Sequence, residues 1–193
     1  MRISTKMLSQ FVLVWPLFVI SVLSARAQIV STSISQTFTN PTPSATGESF
    51  GFGIVALDSE RVLITAPQDT LSSGAAYLYL ANGTLLNVIT NPNPATGDFG
   101  ASVAAIGTDK FLFGSPGDDT GATDAGVAYL MSTNGAVLLT LTNPTPNLAH
   151  FSRERFGTSV AALGSDRLLV AASDGTFPYL NKGAICMPPT VRS

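Results

Sequence analysis

The chain has 193 residues, of which 45% are hydrophobic and 11% are charged, and its formal net charge is −2. No basic patch with interleaved aromatic residues occurs in the sequence, which argues against a nucleic-acid partner. Neither an acidic tail nor a lysine-rich stretch is present, which argues against electrostatic attachment to a membrane. The 17 glycines and 12 prolines recur at regular intervals, as residues that mark turns do.

The amino-terminal end has the pattern of a secretory signal peptide. A basic start precedes an apolar run at residues 11–23, and the small residues Ala25 and Ala27 then frame a cleavage site. An uncleaved membrane anchor is the alternative, but the apolar run is shorter than the about 20 residues that span a bilayer. We expect residues 1–27 to be removed, which leaves 28–193 as one secreted domain, extracellular or periplasmic and free of the membrane.

The only cysteine is Cys186, so no disulfide bridge can form within the chain. A catalytic thiol would need a histidine, and the only histidine, His150, follows a polar segment. We therefore interpret Cys186 as a small buried side chain. Zinc is disfavoured for the same reason, because its sites draw several ligands from cysteine and histidine.

Three segments of the chain repeat one another, at residues 39–89, 90–141 and 142–187. Each opens with Thr-Asn-Pro-x-Pro and continues with a Phe-Gly pair, an apolar strand and a second strand that begins at a glycine. The period is about 50 residues, which is typical of repeat architectures. The motif asparagines are Asn40, Asn91 and Asn143, and the Phe-Gly pairs begin at Phe50, Phe99 and Phe156.

Each repeat contains four strand candidates separated by turn signals, and in the second repeat they are residues 101–106, 110–115, 127–132 and 137–142. The first is rich in small residues, which suit a crowded position where sheets converge. The other three are nearly continuous apolar runs, as expected of strands covered on both faces. Four strands per period is the arithmetic of a propeller blade. The predicted fold class is all-β: a partial or open β-propeller of about three four-stranded antiparallel blades.

The Asn-Pro-x-Pro element has two interpretations. Paired prolines end a strand and hold an extended link to the next repeat, because proline cannot donate to a strand ladder. A polyproline ligand for a partner domain is the alternative. Recurrence at one point of every repeat favours the link.

The Phe-Gly pair followed by Ser-Val-Ala-Ala, and the strand that ends in Gly-Ser-Pro or Thr-Ala-Pro, resemble FG-GAP repeats. These repeats form the blades of integrin α-chain propellers and of many exported bacterial proteins. The resemblance covers residues 39 to about 187 and is strongest at 99–141, whereas the third repeat departs from the pattern at residues 170–173. It implies a propeller fold, an extracellular location and often adhesion or ligand binding.

In integrin-like repeats a carboxylate-rich loop between the first two strands binds calcium, and this sequence argues against such a site. A calcium ion needs six to eight oxygen ligands, and the corresponding turns at Asp58, Asp109 and Asp166 are tight, with a basic residue beside each acid. An acidic cluster lies between strands two and three of the second repeat, and its counterparts in the other repeats are single residues, Asp69 and Asp174. The cluster consists of Asp118, Asp119 and Asp124. We interpret these residues as turn formers of the Asx type and expect no metal or other cofactor.

Three functional classes remain. The first is a secreted, non-enzymatic module that binds or adheres to an extracellular protein or glycan through loops at one end of the repeats. The second is a structural fragment of a longer repeat array without a ligand of its own. The third, least supported, is an exported hydrolase, since the carboxylates sit in short turns rather than in pairs flanked by binding residues. One glycosylation acceptor pattern, at Asn82, lies at a predicted hairpin tip.

The two ends of the repeat region are complementary. Residues 34–38 occupy the place that a fourth strand holds before the next Asn-Pro, whereas the third repeat supplies three strands and stops near Met187. We expect either an open, aggregation-prone arc or a head-to-tail homodimer in which each amino-terminal strand completes the last blade of the other copy.

Overall fold

The computed structural model describes residues 35–43, 49–69, 73–95, 97–144, 154–165, 167–173 and 185–187. The predicted signal peptide, His150, Asp166 and Asp174 lie outside the described residues, as does the side chain of Cys186. The repeat region belongs to one compact unit that begins at Ile34.

Every regular element in these ranges is a β-strand. The strands are β1 Ile54–Ala56, β2 Arg61–Ala66, β3 Ala75–Leu80, β4 Leu85–Thr90, β5 Ser102–Ile106, β6 Lys110–Ser115, β7 Val127–Ser132, β8 Val137–Thr142, β9 Phe156–Leu163, β10 Arg167–Ala172 and β11 Ile185–Met187. Within the described ranges, no helix is long and apolar enough to cross a membrane.

The strands form three antiparallel sheets in chain order. Sheet 1 has the order β1-β2-β3-β4, sheet 2 the order β5-β6-β7-β8, and sheet 3 the order β11-β10-β9. The all-β class and the antiparallel four-strand pattern of the first two repeats are confirmed. The strands of sheet 2 begin and end within one residue of the predicted positions, because each is a β-rich run bounded by a turn signal.

The two central strands of sheet 1 and of sheet 2 bury both of their faces. In β2, Leu63 and Ile64 point to opposite sides of the sheet, as successive residues of a strand do, and both are buried. We call the face of a sheet that packs against the following sheet its forward face, and the opposite one its rear face. The forward face of sheet 1 carries Leu63 and Leu78, and its rear face carries Ile64, Tyr77 and Tyr79.

Two apolar cores join the three sheets. The forward face of sheet 1 packs on a row of aromatic residues of sheet 2, in which Phe99 and Phe113 have ring centroids 4.7 Å apart. The forward face of sheet 2, which includes Leu112 and Leu130, packs in the same way on Phe156 and Val170 at the rear of sheet 3. Full burial of each large apolar side chain stabilises the fold by about 1.5–3 kcal/mol.

The first strands of the sheets lie close together, as the small residues in them predict. Strand β5 packs against both β1 and β9. The hydroxyl of Ser102 donates a 2.7 Å hydrogen bond to the carbonyl oxygen of Gly157. A Cβ at Gly114 would overlap that same carbonyl group, so this position requires glycine.

The fourth strands differ from the prediction, since they are not covered on both faces. In β4 the side chains of Leu85, Leu86 and Val88 are exposed, whereas Ile89 is buried. Strand β8 repeats this burial pattern residue for residue. The apolar composition of these strands is that of an inner strand, but their position at the edge of a sheet leaves most of their side chains in solvent.

Residues 35–43 contain no strand, although a fourth strand was expected at 34–38. Phe38 nevertheless packs edge-on against Tyr79 of sheet 1, with ring centroids 5.4 Å apart. The hydroxyl of Tyr79 donates a 2.9 Å hydrogen bond to the carbonyl oxygen of Thr39. This segment is therefore fixed to the rear face of sheet 1 without pairing as a strand.

Candidate functional site

A buried carboxylate lies at the centre of each of the first two repeats. In sheet 2, Asp118 follows β6 and is fully buried. Its Oδ2 accepts a 2.8 Å hydrogen bond from the hydroxyl of Tyr129, which lies on β7. Burial of an unpaired carboxylate is costly, so its hydrogen bonds determine whether this arrangement is stable.

The same carboxylate also holds a loop and a linker. Its Oδ1 accepts hydrogen bonds from the backbone N–H and the hydroxyl of Thr120, at 2.8 and 2.6 Å. The side-chain amide of Asn93 donates to Oδ1 of Asp118 at 3.3 Å. Asn93 belongs to the Asn-Pro-x-Pro element, so one carboxylate connects that element with the loop after β6 and with β7.

Sheet 1 repeats this arrangement with different linker chemistry. The hydroxyl of Tyr77 donates to the buried carboxylate of Asp69. The hydroxyls of Tyr77 and Thr42 lie 2.9 Å apart and share a hydrogen bond, and Thr42 occupies the linker position that Asn93 has in the second repeat. Both buried carboxylates therefore take part in hydrogen bonds that connect a linker with the third strand of the sheet.

The motif asparagines shape the linkers themselves. The side-chain oxygens of Asn40 and Asn91 each accept a 2.9 Å hydrogen bond from the backbone N–H two residues later, which forms an Asx turn. The amide of Asn91 also donates to the carbonyl oxygen of Ser73 at 3.3 Å, and the amide of Asn143 donates to the buried carboxylate of Glu154. These contacts are those of a structural link between repeats.

Tyr129 has an altered acidity as a result of its surroundings. Burial raises the pKa of its hydroxyl well above the ordinary value, and the hydrogen bond and negative charge of Asp118 raise it further. Burial also raises the pKa of Tyr79. Both phenols therefore act as hydrogen-bond donors throughout the neutral range.

The three aspartates of the acidic cluster do not point to a common centre. Asp118 is turned inward, whereas Asp119 is exposed and its Oδ1 accepts a 2.7 Å hydrogen bond from the backbone N–H of Asp124. Asp124 adopts a positive φ of 51°, as asparagine and aspartate do in turns. In the described part of the chain, no group of three or more His, Cys, Asp or Glu side chains is placed to hold a metal ion.

In each described turn between a first and a second strand, an aspartate pairs with a basic residue that follows it in the chain. Oδ1 of Asp58 accepts from the backbone N–H groups of Glu60 and Arg61 at 2.9 and 2.8 Å, and its Oδ2 pairs with the Arg61 guanidinium. The side-chain hydrogen bond from Arg61 lowers the pKa of Asp58, as does the backbone bond from Glu60. In the next repeat, Asp109 pairs with Lys110 at 2.7 Å.

An open groove of about 280 Å³ lies between sheet 1 and sheet 2, away from the buried carboxylates, and no sequence motif predicted it. Its polar wall is fixed by two contacts between repeats: the amide of Asn87 donates to the carbonyl oxygen of Thr133 at 3.0 Å, and Nη2 of Arg61 donates to that of Thr108 at 2.8 Å. The groove is lined by Arg61, Leu78, Leu86, Asn87, Thr133 and Asn134.

The buried carboxylates were not identified from the sequence, because an acid in a Gly-rich loop has the appearance of an exposed turn residue. The available signal was the tyrosine at the same place in two repeats, Tyr77 and Tyr129, each preceded by an aspartate. A buried tyrosine needs a partner for its hydroxyl, and Asp69 and Asp118 precede Tyr77 and Tyr129 by 8 and 11 residues.

Comparison with known proteins adds no identity to these observations: no family model matches the chain, and no curated protein matches it.

Proposed function

We propose that the chain is a secreted, non-enzymatic repeat module of the FG-GAP type, arranged as a β-propeller, which binds an extracellular protein or glycan. The groove between sheets 1 and 2 is the proposed binding site, and this groove is the observation that carries the proposal. Export of the module rests on the signal-peptide pattern of residues 1–27.

The use of the buried acids supports a module without catalysis. Among the described residues, the buried carboxylates are Asp69, Asp118 and Glu154, and each accepts a hydrogen bond from a neighbouring side chain of the protein. Their hydrogen bonds hold loops and linkers in place. The buried polar groups therefore stabilise the fold, and we expect recognition to occur at the protein surface.

The groove offers chemistry suited to an uncharged polymer. Among the residues that line it, Leu78 and Leu86 are apolar, and Asn87 and Asn134 carry amide side chains. Apolar contact combined with amide donors and acceptors is the usual composition of ligand sites. The guanidinium of Arg61 is already engaged with Asp58 and Thr108, so the groove presents little net charge to a ligand.

A second candidate function is a structural unit of a longer array with no ligand of its own. It is supported by backbone hydrogen bonds that recur between one repeat and the next: Phe99 N–H donates to the carbonyl oxygen of Ser73, and Phe156 N–H donates to that of Ala125. The two functions differ in one measurable property, which is binding at the groove.

The experiment is a binding screen of the purified, exported protein on immobilised neutral polysaccharides and on fibronectin and collagen. For any immobilised polymer that the protein binds, Leu86→Asp is expected to weaken binding at least tenfold, because it places a charge on an apolar residue that lines the groove. Leu85→Asp is the matched control, since Leu85 is exposed on the same strand but does not line the groove. Absence of binding to every surface would favour the structural unit, and equal loss in both variants would place the binding site outside the groove.

A further inference from the structure

We infer that the rear face of sheet 1 is a docking surface for the forward face of sheet 3 in a second copy of this chain. This interface does not depend on the proposed binding groove. It would repeat, between two molecules, the contact that already joins sheet 1 to sheet 2 and sheet 2 to sheet 3.

The rear face of sheet 1 is incompletely covered at its first strand, β1. Ile54 is 66% exposed, although it pairs with the buried Ile64. The position equivalent to Ile54 in sheet 2 is Val103, which packs into the core between sheets 1 and 2. A neighbouring sheet therefore covers this position in the second repeat, and no described residue does so in the first.

The Phe-Gly pairs show the same difference. Phe99 and Phe156 are fully buried, and their backbone N–H groups donate to carbonyl oxygens of the preceding repeat, those of Ser73 and Ala125. Phe50 is only half-buried, packed on Tyr77 with ring centroids 5.6 Å apart.

The glycines after these phenylalanines agree with that pattern. A Cβ at Gly100 or Gly157 would contact the preceding sheet, at the side chain of Thr65 or the carbonyl of Val127, whereas a Cβ at Gly51 would meet no atom within 4 Å. Among the described residues, no sheet packs on the first repeat as sheet 1 packs on sheet 2.

Sheet 3 carries the complementary exposed face. Leu163 is 44% exposed, whereas the residues at the same position of the other sheets, Leu57 and Ile106, are 6% and 1% exposed because the following sheet covers them. Leu169 is half-buried, although its counterparts Leu63 and Leu112 are fully buried. The forward face of sheet 3 therefore carries apolar residues at the positions that form a junction in the other sheets, and no sheet of the described residues packs on them.

Contacts at the outer part of the rear face of sheet 1 indicate the kind of segment that packs there. Phe38 packs on Tyr79 as Ile89, two residues before the next motif asparagine, packs into the core of sheet 2. Gln36 lies against Gly83, the turn equivalent to the one that Asn87 reaches in sheet 2. Residues 36–39 thus occupy the place of a fourth strand that belongs to a preceding sheet.

The strand count identifies that sheet. In sheets 1 and 2 the fourth strand pairs with the third, and in sheet 3 the third strand, β11, lies at the edge of the described sheet. Strand β11 of one copy and residues 35–39 of the other can therefore pair by β-strand addition. Two copies joined at both junctions form a closed head-to-tail ring of six sheets.

The test is the solution mass of the purified, exported protein by light scattering coupled to size exclusion, at concentrations from 1 to about 100 µM, a range that bounds ordinary dimer affinities. The expected mass is that of two chains. Ile54→Glu and Leu163→Lys are each expected to give monomers with unchanged circular dichroism, because both side chains are already exposed in a single copy. Leu138→Lys, an exposed residue on β8 away from both faces, should leave the dimer intact.

Mixing the Ile54→Glu and Leu163→Lys variants is the decisive experiment. In the mixed ring one junction keeps both native residues and the other carries both substitutions, so dimers are expected to return through the native junction. A folded wild-type monomer at the highest concentration would overturn the inference. Dimers that survive both single substitutions, or that fail to return on mixing, would equally overturn it.

Discussion

The hydroxyl of Tyr129 donates a 2.8 Å hydrogen bond to Oδ2 of Asp118, and both residues are buried between β6, β7 and the linker. The same pair exists in the first repeat as Tyr77 and Asp69. A carboxylate in the interior is stable only when its oxygens are satisfied, so this relationship links the stability of each of these two repeats to one acid.

Replacement of that acid should be strongly destabilising. Asp118→Ala leaves the Tyr129 hydroxyl and the Asn93 amide without their acceptor, and hydrogen bonds to charged groups contribute about 1.5–3 kcal/mol each. We expect a loss of about 3 kcal/mol, seen as a fall in Tm of roughly 6–12 °C. Asp119→Ala is the control, because that carboxylate is exposed, and its effect should stay below about 1 kcal/mol. Equal melting temperatures for the two variants would contradict the role assigned to Asp118.

A glycine substitution tests the junction between repeats. A Cβ at Gly126 would overlap the backbone of Phe156, whereas a Cβ at Gly121 would meet nothing within 4 Å. Both glycines have positive φ, of 79° and 94°, so alanine at either site costs about 1–2 kcal/mol in backbone strain. Gly126→Ala should therefore be clearly less stable than Gly121→Ala in urea unfolding. A difference within experimental error would show that the junction adapts.

Alkaline pH should weaken the fold through Tyr129. Its pKa is raised in the folded protein by burial and by Asp118, whereas in the unfolded chain it titrates near about 10. Above that pH the unfolded state releases the proton first, so the free energy of unfolding falls as pH rises toward the folded-state pKa. Tyr129→Phe removes this titration and should show a shallower decline between pH 9 and 11, a window set by the unfolded pKa of about 10. Parallel declines in the two proteins would assign the effect to other groups.

Calcium should leave the stability nearly unchanged. Asp118 already accepts hydrogen bonds from Tyr129 and Thr120, and Asp119 faces a different direction. An ion bound only to the folded state at 100 times its Kd would add about 2.7 kcal/mol, which corresponds to a rise in Tm of several degrees. We expect a shift below about 1 °C with millimolar calcium relative to magnesium at equal ionic strength. A larger rise that a chelator reverses would establish a calcium site.

The strands were the most predictable part of the fold. Strands β6, β7 and β8 begin and end where the turn signals place them, because apolar runs between Gly- and Asp-rich turns leave few alternatives. The exposure of Leu86 and Val88 was not predictable from the local pattern. An apolar run is the same in a central and an outer strand, and only the order of strands in the sheet distinguishes them.

The candidate site was less predictable, for two reasons. The burial of Asp118 depends on contacts with Asn93 and Tyr129, and these three residues come from separate segments of the chain. The groove arises only when Arg61 and Asn87 of one repeat meet the Thr133 turn of the next. Both are properties of the assembled sheets, and neither leaves a short motif in the chain.

Ile89 and Leu141 each belong to one sheet but complete the apolar core of the sheet that follows. Each apolar core therefore combines residues of two consecutive repeats, and its limits differ from the limits of a repeat in the sequence. A recombination event that inserts or removes one whole period preserves the backbone contacts between sheets, whatever residue it starts from, because equivalent positions meet again one period later. A gene built this way can lengthen or shorten its product in steps of one sheet while keeping that type of contact.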